Sequence, residues 1–159
     1  MTTKNDFDEQ EWARIVRAPL MAGMAITMAD PGGPIEAAKE SMASIKAATN
    51  PPSRQQLLAE VALDLQAMAQ QRHNPLKGFK PEGDRPPGEQ VVDELRSVRE
   101  LVAAKADADE TAAFGQWLVQ SAQAAADAAK EGGFMGFGAE QVSLRETDMI
   151  ERVRAAVSG

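Results

Sequence analysis

The sequence predicts an all-α fold, an irregular bundle of about six helices, four of them long. Three observations carry this. Apolar residues recur at steps of three and four along most of the chain. No segment of useful length alternates with period two, and β-branched and aromatic residues never cluster. Caps and breakers fall where the apolar stripes begin and end, and such agreement between levels is the mark of a specified structure.

The first helix is expected to start near Asp6, where Asp6 and Glu9 have the spacing of a capping box. Trp12, Ile15 and Val16 give it one apolar face. Pro19 falls inside the pattern and is expected to kink or break it, because proline removes a backbone donor and clashes with the preceding turn. From Leu20 to Met28 the helix is apolar on all sides, so neighbours should surround it. Gly23, with Ala22 and Ala25, should let one of them come close. Asp30-Pro31-Gly32-Gly33-Pro34 is a hard stop, and Pro34 suits the first position of the second helix.

Ile35, Ala38, Met42 and Ile45 form the predicted core stripe of that second helix. Asn50-Pro51-Pro52 ends it. Ser53 with Gln56 reads as the capping box of the third, whose stripe is Leu58, Val61, Leu65 and Met68. Residues 74–88 hold four Pro and three Gly. They read as a loop longer than most helix connections, and such loops are often functional or mobile. The fourth helix carries Val91, Leu95, Val98 and Val102. Asp107 and Glu110 look like the cap of the fifth, which shows Phe114, Leu118, Ser121, Ala125 and Ala128 on one face with Trp117 beside them. Its alanine-rich end runs into Gly132-Gly133-Phe134-Met135-Gly136-Phe137-Gly138. Gly132 suits a left-handed helix terminus. Phe134, Gly136, Phe137 and Gly138 are read as a folded turn, either pressed onto the core or exposed as an interaction patch. Ser143 to Glu146 caps the last helix, with Met149, Ile150, Val153 and Val157 inward.

Composition narrows the chemistry. The 159 residues suit a single helical domain over 1–159. Net charge is −7, which disfavours broad nucleic-acid binding. There is no cysteine, so disulfides, thiolate metal sites and cysteine nucleophiles are excluded. The acidic N-terminus lacks the apolar run of a signal peptide. The longest uncharged run near it, Ala18 to Ala29, falls short of the ~20 residues of a membrane span. A cytoplasmic protein without membrane contact is expected. The sole histidine, His73, has no Glu-x-x-His partner for a bundle di-iron site. It sits at a helix end, where it is expected to meet terminal carbonyls rather than act as a base. The carboxylate pairs Glu36/Glu40 and Glu60/Asp64 lie off the apolar stripes and read as solvated surface. Gly136-x-Gly138 is a fragment of a dinucleotide fingerprint without its strand or its later glycine. No cofactor is expected.

Two groups of residues carry a resemblance. One is Glu11-Trp12, Pro19, Ala22-Gly23-Met24-Ala25 and Asp30-Pro31. The other is Phe114, Trp117-Leu118, Glu131 to Gly138, Val142-Ser143 and Glu146. Together they resemble a group of small helical bacterial proteins without an assigned function. A more distant likeness is to tellurite-resistance TerB-like domains, and it implies an acidic metal-binding site. No ligand residue carries over, so the metal question stays open. The leading expectation is a non-catalytic interaction or stress-associated protein, with a protein partner or a homo-oligomer. A metal-binding helical domain comes second. An enzyme with a small-molecule pocket lined by the Met-rich first helix comes third.

Overall fold

The structure is a computed structural model that describes residues 1–30, 34–131 and 143–158. Its helices are α1 (Glu9–Ala29), α2 (Pro34–Ala48), α3 (Gln56–Gln70), α4 (Pro87–Ala103), α5 (Ala108–Glu131) and α6 (Leu144–Ser158). Short 3-10 turns stand at Lys4–Asp6 and Pro75–Gly78, and no strand occurs among the described residues. None of the described helices is long and apolar enough to cross a membrane.

The helix that is apolar on all sides is central, as its composition requires. α1 packs against each of the other five helices, and α5 against α1, α2, α4 and α6. The expected stripes of α1, α3, α4, α5 and α6 all face the core. Val91, Leu95, Val98 and Val102 are fully enclosed, and so are Phe114, Trp117 and Leu118. Phe114 and Trp117 meet edge to face, with ring centroids 6.4 Å apart.

Three local expectations are corrected. Of the kink or break expected at Pro19, the break is overturned, since α1 is helical from Glu9 to Ala29. Proline costs a helix interior about 3 kcal/mol. Ile15, Ala18, Met21 and Ala22 are all fully buried around it. Burial of a large apolar side chain contributes roughly 1.5–3 kcal/mol, so packing on both sides outweighs the lost donor. The capping box of α1 is Asp8 with Glu11, not Asp6 with Glu9. Asp8 Oδ1 accepts from the Glu11 N–H at 2.8 Å, and Glu11 Oε2 accepts from the Asp8 N–H at 2.9 Å. Asp6 closes the preceding 3-10 turn by accepting from the Thr3 N–H. Ser53 does not cap α3, which begins at Gln56 after an uncapped Gln55. The Ser53 hydroxyl accepts from the Gln55 N–H at 3.4 Å. Serine readily makes this local turn in competition with a helix cap.

The N-terminal caps of α5 and α6 stand as expected. Asp107 Oδ1 accepts from the Glu110 N–H at 2.8 Å, and Ser143 Oγ from the Glu146 N–H at 3.2 Å. Pro34 opens α2. The segment 74–88 is tied down along much of its length. Leu76 and Phe79 pack on the core, and Gln90 bonds both Glu82 N–H and Arg85 C=O.

The N-terminus is stapled across the bundle. Thr2 donates its N–H and its hydroxyl to the Glu110 carboxylate at 2.9 and 2.6 Å. Burial pushes the Glu110 carboxyl up, but the bonds from Thr2 and from the Asp107 N–H outweigh it and hold the group below the usual range. Lys4 bonds Glu60 through its N–H and Asp64 through its ammonium. Asp64 also accepts from the Trp12 indole at 2.7 Å. Glu60 and Asp64 are therefore structural ties, not free surface charges. Arg14 of α1 holds Glu94 of α4 through two bonds, at 2.8 and 3.1 Å.

Two close helix contacts depend on glycine. A Cβ on Gly23 would sit 2.0 Å from Ser44 Oγ and 2.7 Å from its Cβ. One on Gly115 would sit 2.4 Å from the Val157 carbonyl oxygen. The second is a backbone collision that no rotamer relieves. Gly115→Ala should therefore lose roughly 1–3 kcal/mol in a urea titration, despite alanine's better helix propensity. A gain in stability would show that α5 and α6 are not this close. Trp117→Ala should lose about 3–5 kcal/mol, and a loss under about 1 kcal/mol would mean an exposed ring.

Candidate interaction site

The second helix is packed the opposite way round from its predicted face. Ile35, Met42 and Ile45 are 67, 71 and 48% exposed, and Ala38 is exposed with them. Glu40, Ser44 and Ala48 face inward instead. α2 carries two stripes at helical spacing, a bulky one at 35, 38, 42 and 45 and a small or polar one at 37, 40, 44 and 48. The chain buries the smaller stripe.

Three contacts fix that choice. Ser44 fills the space that Gly23 leaves on α1, where no branched side chain would fit. Thr27 of α1 donates a short hydrogen bond to the Glu40 carboxylate. The Trp117 indole N–H donates to the Ala47 carbonyl at 2.9 Å. Ala47 lies in the last turn of α2, where carbonyls lack a helical partner. The carbonyl also accepts from the Asn50 N–H at 3.2 Å, so the bond gives the buried indole donor the partner that it would otherwise lack.

The exposed stripe steps by three, four and three, the seam spacing of two packed helices. Lys39 and Lys46 lie beside it, each four residues beyond an apolar position. Both are exposed, and neither forms an ion pair among the described residues. Ile45 joins the stripe to a groove of about 500 Å³ between α1, α2, α3 and the Pro75–Gly78 turn. Leu20, Met24, Ala48, Leu65 and Leu76 give the groove its apolar wall.

The sequence candidates fall out unevenly. Phe134, Gly136, Phe137 and Gly138 lie outside the described residues, as do Gly132 and the side chain of Glu36. His73 satisfies a helix-terminal carbonyl with its backbone N–H, 2.8 Å from Met68 O. The residue also lines the groove. Glu40, expected on the surface, is 1% exposed. The bulky stripe on the same helix predicts the opposite inner face, which would leave Glu40 outside. A glycine on α1 and a small-residue stripe on α2 are the signals that point to the observed packing.

Glu40 also acts on Glu146. Burial raises the Glu146 carboxyl above its ordinary range, the Ser143 N–H opposes this, and the charges of Glu40 and Asp30 add to the rise. Among the described residues, no three carboxylate or imidazole groups are gathered to hold a metal ion. Comparison with known proteins finds no relative: no family model, no curated protein and no solved structure matches the chain.

A carboxyl whose folded value is raised costs stability when ionised, and the cost disappears as pH falls through that value. Glu146→Gln keeps an acceptor for the Ser143 N–H and removes the charge. It should melt higher than the parent at pH 7, and the two curves should converge below the ordinary carboxylate range. A variant that melts lower at pH 7 would show that the charge is favourable there.

Proposed function

We propose that this protein is a non-catalytic interaction module that holds an amphipathic helix of a partner protein against the outer face of α2. The observation that supports it most is the exposure of Ile35, Met42 and Ile45 in seam spacing on a helix whose opposite face is already packed. Helix recognition commonly uses apolar anchors at such spacing. Lys39 and Lys46 favour a partner helix with acidic flanks, on a chain that is otherwise acidic. Two copies of α2 fit each other less well. Paired antiparallel, the lysines oppose lysines; paired parallel, Lys46 meets Ser41 and no acid. A cytoplasmic setting belongs to the same reading.

Met42→Glu tests it, with the partner captured on immobilised parent protein and then titrated. The substitution lies on the surface and should leave stability within about 0.5 kcal/mol. It should weaken partner binding by roughly tenfold or more, the loss of one buried apolar anchor. Lys39→Glu with Lys46→Glu should weaken it further and remove its salt dependence. Unchanged binding by Met42→Glu would sink the proposal. So would light scattering that finds the parent dimeric and the variant monomeric.

A second reading, a TerB-like domain that binds a metal ion through carboxylates, draws on one observation. Glu40 and Glu146 are buried on two different helices, close enough for their charges to interact. It expects manganese or calcium to raise the melting temperature of the parent and not of Glu146→Gln. Equal melting curves with and without the ions would remove it.

A further inference from the structure

The groove beside α2 has a polarity that runs against the acidic balance of the chain. The chain carries 24 acidic side chains against 17 Lys and Arg. None of the described residues lining the groove is acidic, and its only ionisable groups are Arg72 and His73. Both stand at one end, where the chain leaves α3. Asn74 stands with them. Its side-chain oxygen accepts from the Leu76 N–H, and its amide N–H groups remain to donate. Away from this end the wall is mainly apolar, with Leu20, Met24 and Leu65 prominent. The volume of about 500 Å³ lies within the usual range of small-ligand sites.

The backbone at this end is also unusual. α3 closes with a Schellman turn, in which the His73 N–H reaches Met68 O and the Arg72 N–H reaches Ala69 O. That turn needs a left-handed residue, and glycine is the ordinary choice because it has no Cβ. Here the position is Arg72, at φ 57°, the one non-glycine residue with positive φ among the described residues. Its guanidinium forms no ion pair among the described residues. An arginine thus occupies a place where glycine would be easier, and its charge answers no carboxylate among the described residues. Local strain of this sort is concentrated at ligand clamps.

We propose that the groove binds a medium-chain aliphatic carboxylate, with its tail along Leu20, Met24 and Leu65 and its anionic head at Arg72, His73 and Asn74. The donor set suits a carboxylate, which accepts hydrogen bonds only, and arginine offers it paired N–H groups. A neutral or cationic head finds no acidic partner there. Ile45 joins the site to the outer face of α2, but neither the head at Arg72 nor the tail along Leu20, Met24 and Leu65 depends on what that face binds.

Calorimetric titration with decanoate, kept below micelle formation, tests this on the full chain. Decanoate should bind at one site, and methyl decanoate and decyltrimethylammonium about tenfold or more weaker, the size of one charge-assisted hydrogen bond. Arg72→Gly should bring decanoate down to the level of the ester while the melting temperature holds or rises, because glycine suits the left-handed turn. Arg72→Lys should keep part of the preference for the acid. Ala69→Trp, which fills the groove from α3, should abolish binding. Decanoate binding no tighter than the ester overturns the proposal. So does unchanged binding by Arg72→Gly, or by Ala69→Trp in a folded protein.

Discussion

The position of Trp117 constrains the rest of the bundle. It is the largest side chain with no exposed surface, and its indole carries a donor that cannot be left unpaired inside a core. The Ala47 carbonyl supplies the acceptor. That carbonyl belongs to the last turn of α2, where it accepts from the Asn50 N–H and has a lone pair left for the indole. One bond thus fixes where α2 ends relative to α5, and with it which side of α2 faces inward. Phe114, edge-on to the same ring, fills the remaining space beside it.

Small residues complete the arrangement. Gly23 admits Ser44, and Gly115 admits the Val157 backbone. At both places the helices are too close for a branched side chain between them. Ile35, Met42 and Ile45 therefore find no room between α2 and its neighbours, and they appear on the surface. An apolar face exposed for this reason is a consequence of packing, and it is the face proposed to receive a partner helix. The inversion brings Glu40 into the core, where Thr27 bonds it and its charge reaches Glu146 on α6.

Polar side chains do more structural work here than their spacing implies. Glu60 and Asp64 look like a solvated i,i+4 pair, yet they hold the N-terminal turn and the Trp12 indole. Glu110 caps its own helix and also receives Thr2 from the far end of the chain. In each case the local part of the role follows from sequence spacing, and the partner lies more than fifty residues away.

The sequence by itself determined the six helices, most of their ends and five of their six buried faces. Those properties follow from short-range physics: apolar spacing, capping side chains and the conformational limits of proline and glycine. The stripes Val91-Leu95-Val98-Val102 and Leu58-Val61-Leu65 needed no knowledge of what they would meet. Tertiary structure alone decided the rest. Pro19 stays within a continuous helix because core residues on both sides hold it there. The inner face of α2 was not legible because two stripes share its spacing, and hydrophobicity favours the wrong one. Only the closeness of Gly23 and the reach of Trp117 choose between them. The groove at Arg72 was hidden for a related reason, since its walls come from three helices and a turn that no local pattern connects.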